Sequence, residues 1–75
     1  MINRYFRVNR RDMVFLKFIL EAYEGMNMMS TVDNRAGIIR IAIMAGCEAD
    51  MDELLGELGR QVMMEPVEWH EPAAS

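Results

Sequence analysis

Alternation of apolar and polar residues at the start of the chain predicts a short strand. Over residues 2–8, Phe6 and Val8 face one way, and Tyr5 and Arg7 face the other. A strand with one apolar face is expected to pack that face against the core.

A helix is predicted to follow this strand directly. Asn9 is the predicted N-cap, and Asp12 in the first turn complements the helix dipole. The helical pattern extends to about Glu24, where Gly25 supplies the left-handed residue that ends many helices.

A hairpin is predicted in the middle of the chain. Residues 26–33 read as its first strand, although the inward residue is ambiguous between Met28 and Met29, and a bulge would resolve the conflict. Residues 33–37, Asp-Asn-Arg-Ala-Gly, have the chemistry and length of a hairpin turn. Residues 38–44 form the clearest strand, with one face consisting of Ile39, Ile41 and Ile43, and the other of Ile38, Arg40, Ala42 and Met44.

A second helix is predicted from about Glu48 to Val62, after a break at Gly46 and Cys47. Its apolar residues fall on a single stripe made of Met51, Leu54, Leu55, Leu58 and Val62. Residues 66–70 alternate again, and Pro66 restricts any strand there to the edge of a sheet. We expect one α+β domain over residues 1–70 and a flexible tail over residues 71–75.

The element order β-α-β-β-α, with a possible final β, constrains the architecture. Two helices can cover only one face of such a sheet, and crossover connections in sheets are right-handed. The order therefore predicts a ferredoxin-like sandwich, in which an antiparallel sheet with strand order 4-1-3-2 carries both helices on one face.

The first helix carries more apolar surface than one sheet can cover. With residues at 100° intervals, Lys17, Glu21 and Glu24 occupy a narrow polar arc. We expect an exposed apolar patch that mediates homodimer formation. Pairing occurs either through the surplus face of the first helix, with Val14 and Phe18, or through the open face of the sheet, with Ile38, Ala42 and Met44. The alternative is that the second helix and the tail cover these side chains.

Composition narrows the range of functions. The 75 residues carry eight basic and twelve acidic side chains, a net charge of -4 that argues against nucleic-acid binding. No apolar run is long enough to span a bilayer, so no membrane association is expected. One cysteine and one histidine cannot form the usual zinc sites. The single cysteine also excludes an internal disulfide and favours a cytoplasmic protein. We expect no metal and no cofactor.

Four arginines could form an anion site at one end of the predicted fold. Arg7, Arg10 and Arg11 lie around the start of the first helix, and Arg35 lies at the hairpin tip. Guanidinium groups near a helix N-terminus can hold a carboxylate or phosphate. The alternative is a solvated face partly neutralised by Asp12 and Asp33.

Two further features favour structural roles over catalysis. Cys47 lies at the predicted start of the second helix, where His70 could approach it, but the neighbouring Glu48 and Asp50 disfavour a thiolate. Nine methionines are unusual, and their soft sulfur atoms suit core filling or an adaptable interface. No convergent polar set predicts acid–base chemistry, so we expect no catalytic residues and no enzyme activity.

Three segments of the chain resemble a known family. They are the Tyr-Phe-Arg-Val of residues 5–8, the Arg-Arg-Asp of residues 10–12, and the Leu-Lys-Phe-Ile-Leu-Glu-Ala-Tyr-Glu-Gly of residues 16–25. With Val32-Asp33 and Ala45-Gly46-Cys47, they resemble a small bacterial family designated DUF4911, a domain of unknown function, over about residues 4–62. The resemblance implies a stand-alone intracellular bacterial protein and brings no known activity.

The element order is also similar to that of regulatory modules of the ACT type. The similarity implies an alternative function, binding of a small anionic metabolite or amino acid at the loop between the first strand and the first helix. ACT modules usually have glycine in that loop, whereas residues 9–12 here are Asn-Arg-Arg-Asp. The first prediction is therefore a homodimeric protein-interaction module, which could also bind a protein partner.

Overall fold

A computed structural model describes residues 1–70 of the chain. An antiparallel sheet carries two helices and a single 3-10 turn, Arg10–Asp12. The strands are β1 (Ile2–Val8), β2 (Asn27–Asp33), β3 (Ile38–Ile43) and β4 (Met64–Pro66), and the helices are α1 (Met13–Glu21) and α2 (Glu48–Gln61). The sheet order β2-β3-β1-β4 confirms the predicted ferredoxin-like α+β sandwich. The tail predicted to be flexible lies outside the described residues.

The core lies between the sheet and the two helices. Ile39, Ile41 and Ile43 of β3 are fully buried, as their alternation predicts. They form one cluster with apolar residues of both helices and the end of β1, namely Val8, Leu16, Leu20, Met51, Leu55 and Leu58. Leu54 and Val62 of the predicted stripe pack at the margin of this cluster.

The first helix is shorter than predicted. The 3-10 turn replaces its first turn, and α1 ends at Glu21, because a turn with Gly25 at a φ of 90° follows. Asn9 occupies the N-cap position of the 3-10 turn, but its side chain makes no capping hydrogen bond. The buried Asn27 stabilises the end of α1, since its Nδ2 donates to the carbonyl oxygen of Leu20 at 3.2 Å.

The ambiguity of the second strand is resolved by the register. Met29 lies opposite Ile41 on the core side, whereas Met28 lies opposite Ala42 on the open face and is 62% exposed. The strand does contain a register shift, but it lies between Thr31 and Asp33 and not at the two methionines, where a bulge was considered.

The hairpin tip contacts the end of β1. Val8 donates its backbone N–H to the carbonyl oxygen of Gly37 at 2.8 Å. Gly37 has a φ of 74°, and a Cβ built there would lie 2.4 Å from the carbonyl oxygen of Val8. Only glycine satisfies both constraints without strain, so this residue ties the hairpin to β1.

The final strand begins earlier than predicted and is brief. β4 pairs with β1 from Met64 to Pro66, and the backbone N–H of Val67 continues the ladder by donating to Tyr5 at 3.1 Å. Pro66 lies on an edge strand, as its missing N–H requires. The guanidinium of Arg7 bonds the carboxylate of Glu65 across the pair at 2.6 Å.

The open sheet face is less exposed than predicted. Ile38 and Ala42 are only 5% and 6% accessible, although no helix covers that face. Both lie on the central strand β3, so paired residues of β1 and β2 flank them on either side. Arg7 and Asp33 lie beside Ile38, and Asn3 and Met28 lie beside Ala42. Paired side chains lie about 4.5–5.5 Å apart at Cβ, close enough for longer neighbours to cover shorter ones.

Candidate interaction surface

The outer face of α1 exposes two large apolar side chains. Val14 is 80% accessible and Phe18 is 73% accessible. The helix is oriented by Leu16 and Leu20, which are buried against the sheet. At 100° per residue, Val14 and Phe18 lie on the far side from these two leucines.

These side chains form a continuous stripe along the helix. Val14, Phe18 and the exposed Ala22 follow one another at intervals of four residues and therefore share a face. Phe15 is partly exposed on one flank. We call Val14, Phe18 and Ala22 the α1 stripe.

The predicted interface residues divide into two groups. Val14 and Phe18 project from the surface, and Met44 is half-buried just beyond β3. Ile38 and Ala42 are covered within the protomer. Of the predicted interface residues, the two that expose the most apolar surface therefore lie on α1, and the two at the centre of the open sheet face expose little.

Three of the four arginines predicted to hold an anion lie at one end of the molecule, and the fourth lies on the open face of the sheet. Arg10 and Arg11 are exposed on the 3-10 turn, and Arg35 is exposed at the hairpin tip. The hydrogen bond between Val8 and Gly37 brings these two regions to the same end of the molecule. Arg7 points to the open face of the sheet, where it is engaged with Glu65.

Two grooves open near the other end of the molecule, and neither was predicted. The larger, of about 460 Å³, runs between α1 and β2 and is lined by Lys17, Leu20, Glu21, Glu24, Asn27, Met28 and Met29. A smaller groove of about 330 Å³ is lined by Tyr23, Met26 and Leu54 with three carboxylates of α2. The predicted strand order already made β2 an edge, which is the sequence feature that could have indicated the larger groove.

The sulfur-containing residues have structural positions. Cys47 immediately precedes α2, is half-buried, and packs against the core. His70 is exposed after β4. Met26 and Met29 also pack against the core cluster. Residues 1–70 contain no group of three or more histidine, cysteine or acidic side chains arranged to hold a metal ion.

None of the helices in the described part of the chain combines the length and the apolar character needed to cross a membrane.

Comparison with curated proteins and with solved structures found no match. The family model of DUF4911, described as a domain of unknown function, matches residues 6–62, from the second half of β1 to the residue after α2. This match spans more than half of the chain and confirms the resemblance read from the first strand and helix, so the chain belongs to the DUF4911 family.

Proposed function

We propose that this protein is a small interaction module that acts as a homodimer and pairs through the α1 stripe. The exposure of Phe18 is the observation that carries the proposal. Burying a phenylalanine side chain contributes about 1.5–3 kcal/mol of free energy. Dimer formation that buries Phe18 would therefore be favoured by about this amount for each protomer.

The spacing of the stripe suits a second copy of the same helix. Homodimers are usually two-fold symmetric, so each protomer presents the same residues to its partner. If two α1 helices cross antiparallel with the axis at Phe18, Val14 of one protomer faces Ala22 of its partner. The two Phe18 rings then meet at the axis, and on each side of them the larger Val14 packs over the smaller Ala22.

The charges beside the stripe support the same arrangement. Lys17 and Glu21 lie on one flank, one turn apart, and carry opposite charges. In the antiparallel pair, Lys17 of one protomer is offset from Glu21 of its partner by two residues, about 3 Å along the axis. The flank is therefore self-complementary, whereas two copies of a flank with a single sign of charge would repel.

The alternative function, binding of an anionic metabolite at the loop between β1 and α1, has less support. The exposed Arg10 and Arg11 do lie at the start of the helical segment. However, Arg7 is paired with Glu65, and both grooves described above lie away from this loop and contain carboxylates. We therefore place the function on α1.

Sedimentation velocity at high micromolar concentration tests the homodimer. We expect the wild-type chain to sediment as a dimer and Phe18→Glu as a monomer, because the variant buries two carboxylates at the two-fold axis. Met28→Glu is the matched control, since it introduces the same charge at an exposed apolar site on the sheet, and it should remain dimeric.

A charge exchange tests the orientation of the two helices. Lys17→Glu should weaken the dimer, and adding Glu21→Lys should restore it, because the pair is then reversed but still complementary. A wild-type monomer at these concentrations would overturn the proposal. Loss of the dimer in Met28→Glu, with Phe18→Glu unaffected, would instead place the interface on the sheet.

A further inference from the structure

The two edges of the sheet are protected to different extents. The β4 edge is three residues long and contains Pro66, a residue that commonly blocks further pairing. The β2 edge spans Asn27–Asp33 and contains no proline and no basic residue. Its irregularity begins only after Thr31. Most of β2 is therefore a regular strand edge that another strand could extend.

The hydrogen-bond pattern shows which backbone groups of β2 face outward. Met44 donates its N–H to the carbonyl oxygen of Met26 at 2.9 Å, so this pair is of the hydrogen-bonded type. Antiparallel ladders alternate between bonded and non-bonded pairs. Met28 and Ser30 consequently bond to β3, whereas Met29 and Thr31 direct their N–H and C=O groups away from the sheet.

The larger groove lies beside this edge, on the helix side of the sheet. Its lining includes the apolar Leu20 and Met29, together with Glu21 of α1, Glu24 of the following turn and the single cation Lys17. Two carboxylates against one cation give the groove beside the first half of β2 an excess of negative charge.

We propose that the β2 edge binds an extended basic segment of a partner protein, which adds a fifth strand to the sheet. A residue opposite Met29 directs its side chain into the groove, because directly paired residues share a face. A lysine or arginine there lays its aliphatic part over Leu20 and places its charge near Glu24. Residues on either side of it lie on the open face, where apolar side chains cover Met28.

A second copy of this chain fits the edge poorly. The one charged residue of β2 is Asp33, so a copy of β2 brings no cation to the acidic groove. The apolar residues of the α1 stripe do not line this groove, although Lys17 and Glu21 border both surfaces. Pairing at the β2 edge rests on the backbone of β2 and on Glu24, so this inference does not require the proposed homodimer. A monomeric wild-type chain would leave it unchanged.

The probe is a synthetic peptide of about eight residues with alternating valine and lysine, capped at both ends. Titration into the labelled chain is followed by amide NMR and hydrogen exchange. We expect saturable binding, with amide exchange at Met29 and Thr31 slowed about tenfold or more while Met28 and Ser30 change little, because only the outward amides gain partners. Glu24→Gln, which leaves the Lys17 and Glu21 flank of the proposed homodimer unchanged, should weaken binding roughly twofold.

Two control peptides separate charge from backbone pairing. Replacing each lysine by glutamate, or methylating alternate backbone nitrogens on the pairing side, should abolish binding. Absence of binding, equal binding of the glutamate peptide, or binding without the alternating protection would each overturn the proposal. Protection of Met29 and Thr31 in the free chain that rises with its concentration would also overturn it, because the edge would then pair with a second copy.

Discussion

The amide of Asn27 donates to the carbonyl oxygens of Leu20, at 3.2 Å, and Tyr23, at 3.4 Å. The first residue of β2 thus bonds the last turn of α1 and the turn that follows it. Helix C-termini leave carbonyl groups without partners inside the helix. Here the backbone N–H groups of Tyr23 and Met26 donate to these two oxygens at 3.1 Å each, and Asn27 adds a second donor to both. Asn27 is the buried polar residue of the described core, and these two bonds explain its place there.

Replacing Asn27 by alanine should destabilise the fold by about 0.5–1.5 kcal/mol, because the carbonyl groups of Leu20 and Tyr23 lose one hydrogen bond each and keep only their backbone donors. Urea unfolding measures this change as a lower midpoint at constant slope. Ser30→Ala, three residues along the same strand, is the control and should shift the midpoint by less. Equal effects of the two substitutions would show that the α1 carbonyl groups do not depend on Asn27.

Two glycines with positive φ should respond differently to alanine. Gly37→Ala places a methyl group 2.4 Å from a backbone oxygen, whereas the Cβ of Gly25→Ala meets nothing within 4 Å. Gly25→Ala therefore carries only the cost of the left-handed backbone, about 1–2 kcal/mol, and Gly37→Ala should cost more. Thermal unfolding of both variants gives the comparison. A Gly37→Ala melting temperature equal to that of Gly25→Ala would show that the hairpin moves away from β1 at little cost.

Alanine at two positions of α2 should stabilise the protein. Gly56 and Gly59 are exposed in the helix, and a Cβ at either position meets nothing within 4 Å. Each substitution should add up to about 1 kcal/mol through helix propensity. Denaturant unfolding of the single and double variants checks this. A destabilised variant would indicate that a partner packs closely against this face of α2.

The ion pair between Arg7 and Glu65 should contribute little to stability. Both side chains are about half exposed, at 51% and 50%. Exposed pairs give coupling energies of about 0.2–1 kcal/mol that decrease with added salt. A double-mutant cycle with Arg7→Ala and Glu65→Ala, measured at low and high salt, should show this decrease. A coupling that is larger and independent of salt would mean that the open face near β4 is shielded from solvent.

Much of the fold follows from local sequence patterns. The alternating isoleucines of β3 and the stripe of α2 each have one apolar face, which fixes their orientation toward the core. The sequence predicts the position of β4 less well, because a strand of three residues is too short to show an alternation of apolar and polar side chains. Helix α1 also ends earlier than predicted, since residues 22–24 continue the apolar pattern of a helix whereas their backbone forms the turn that contains Gly25.

The sequence predicts the exposed residues of α1 better than it predicts the exposure of the open sheet face, for a physical reason. The exposure of Val14 and Phe18 follows from the excess of apolar residues on one short helix. The covering of Ile38 depends on which residues of β1 and β2 lie beside it, and this register is set by pairing across the whole sheet. For the same reason, the groove beside β2 depends on the distance between elements that sequence spacing does not specify.

The central position of β1 has a consequence for how the domain assembles. Ile2 pairs with Ile43, and Val8 pairs with Met64, so the first strand of the chain joins elements that are synthesised much later. Pairings this remote in sequence slow folding, because a long loop must close before they form. The hairpin of β2 and β3 can form locally, but it has no connection to β4 until β1 inserts between them. Deletion of residues 1–8 should therefore split the sheet into two unlinked pieces instead of trimming one edge.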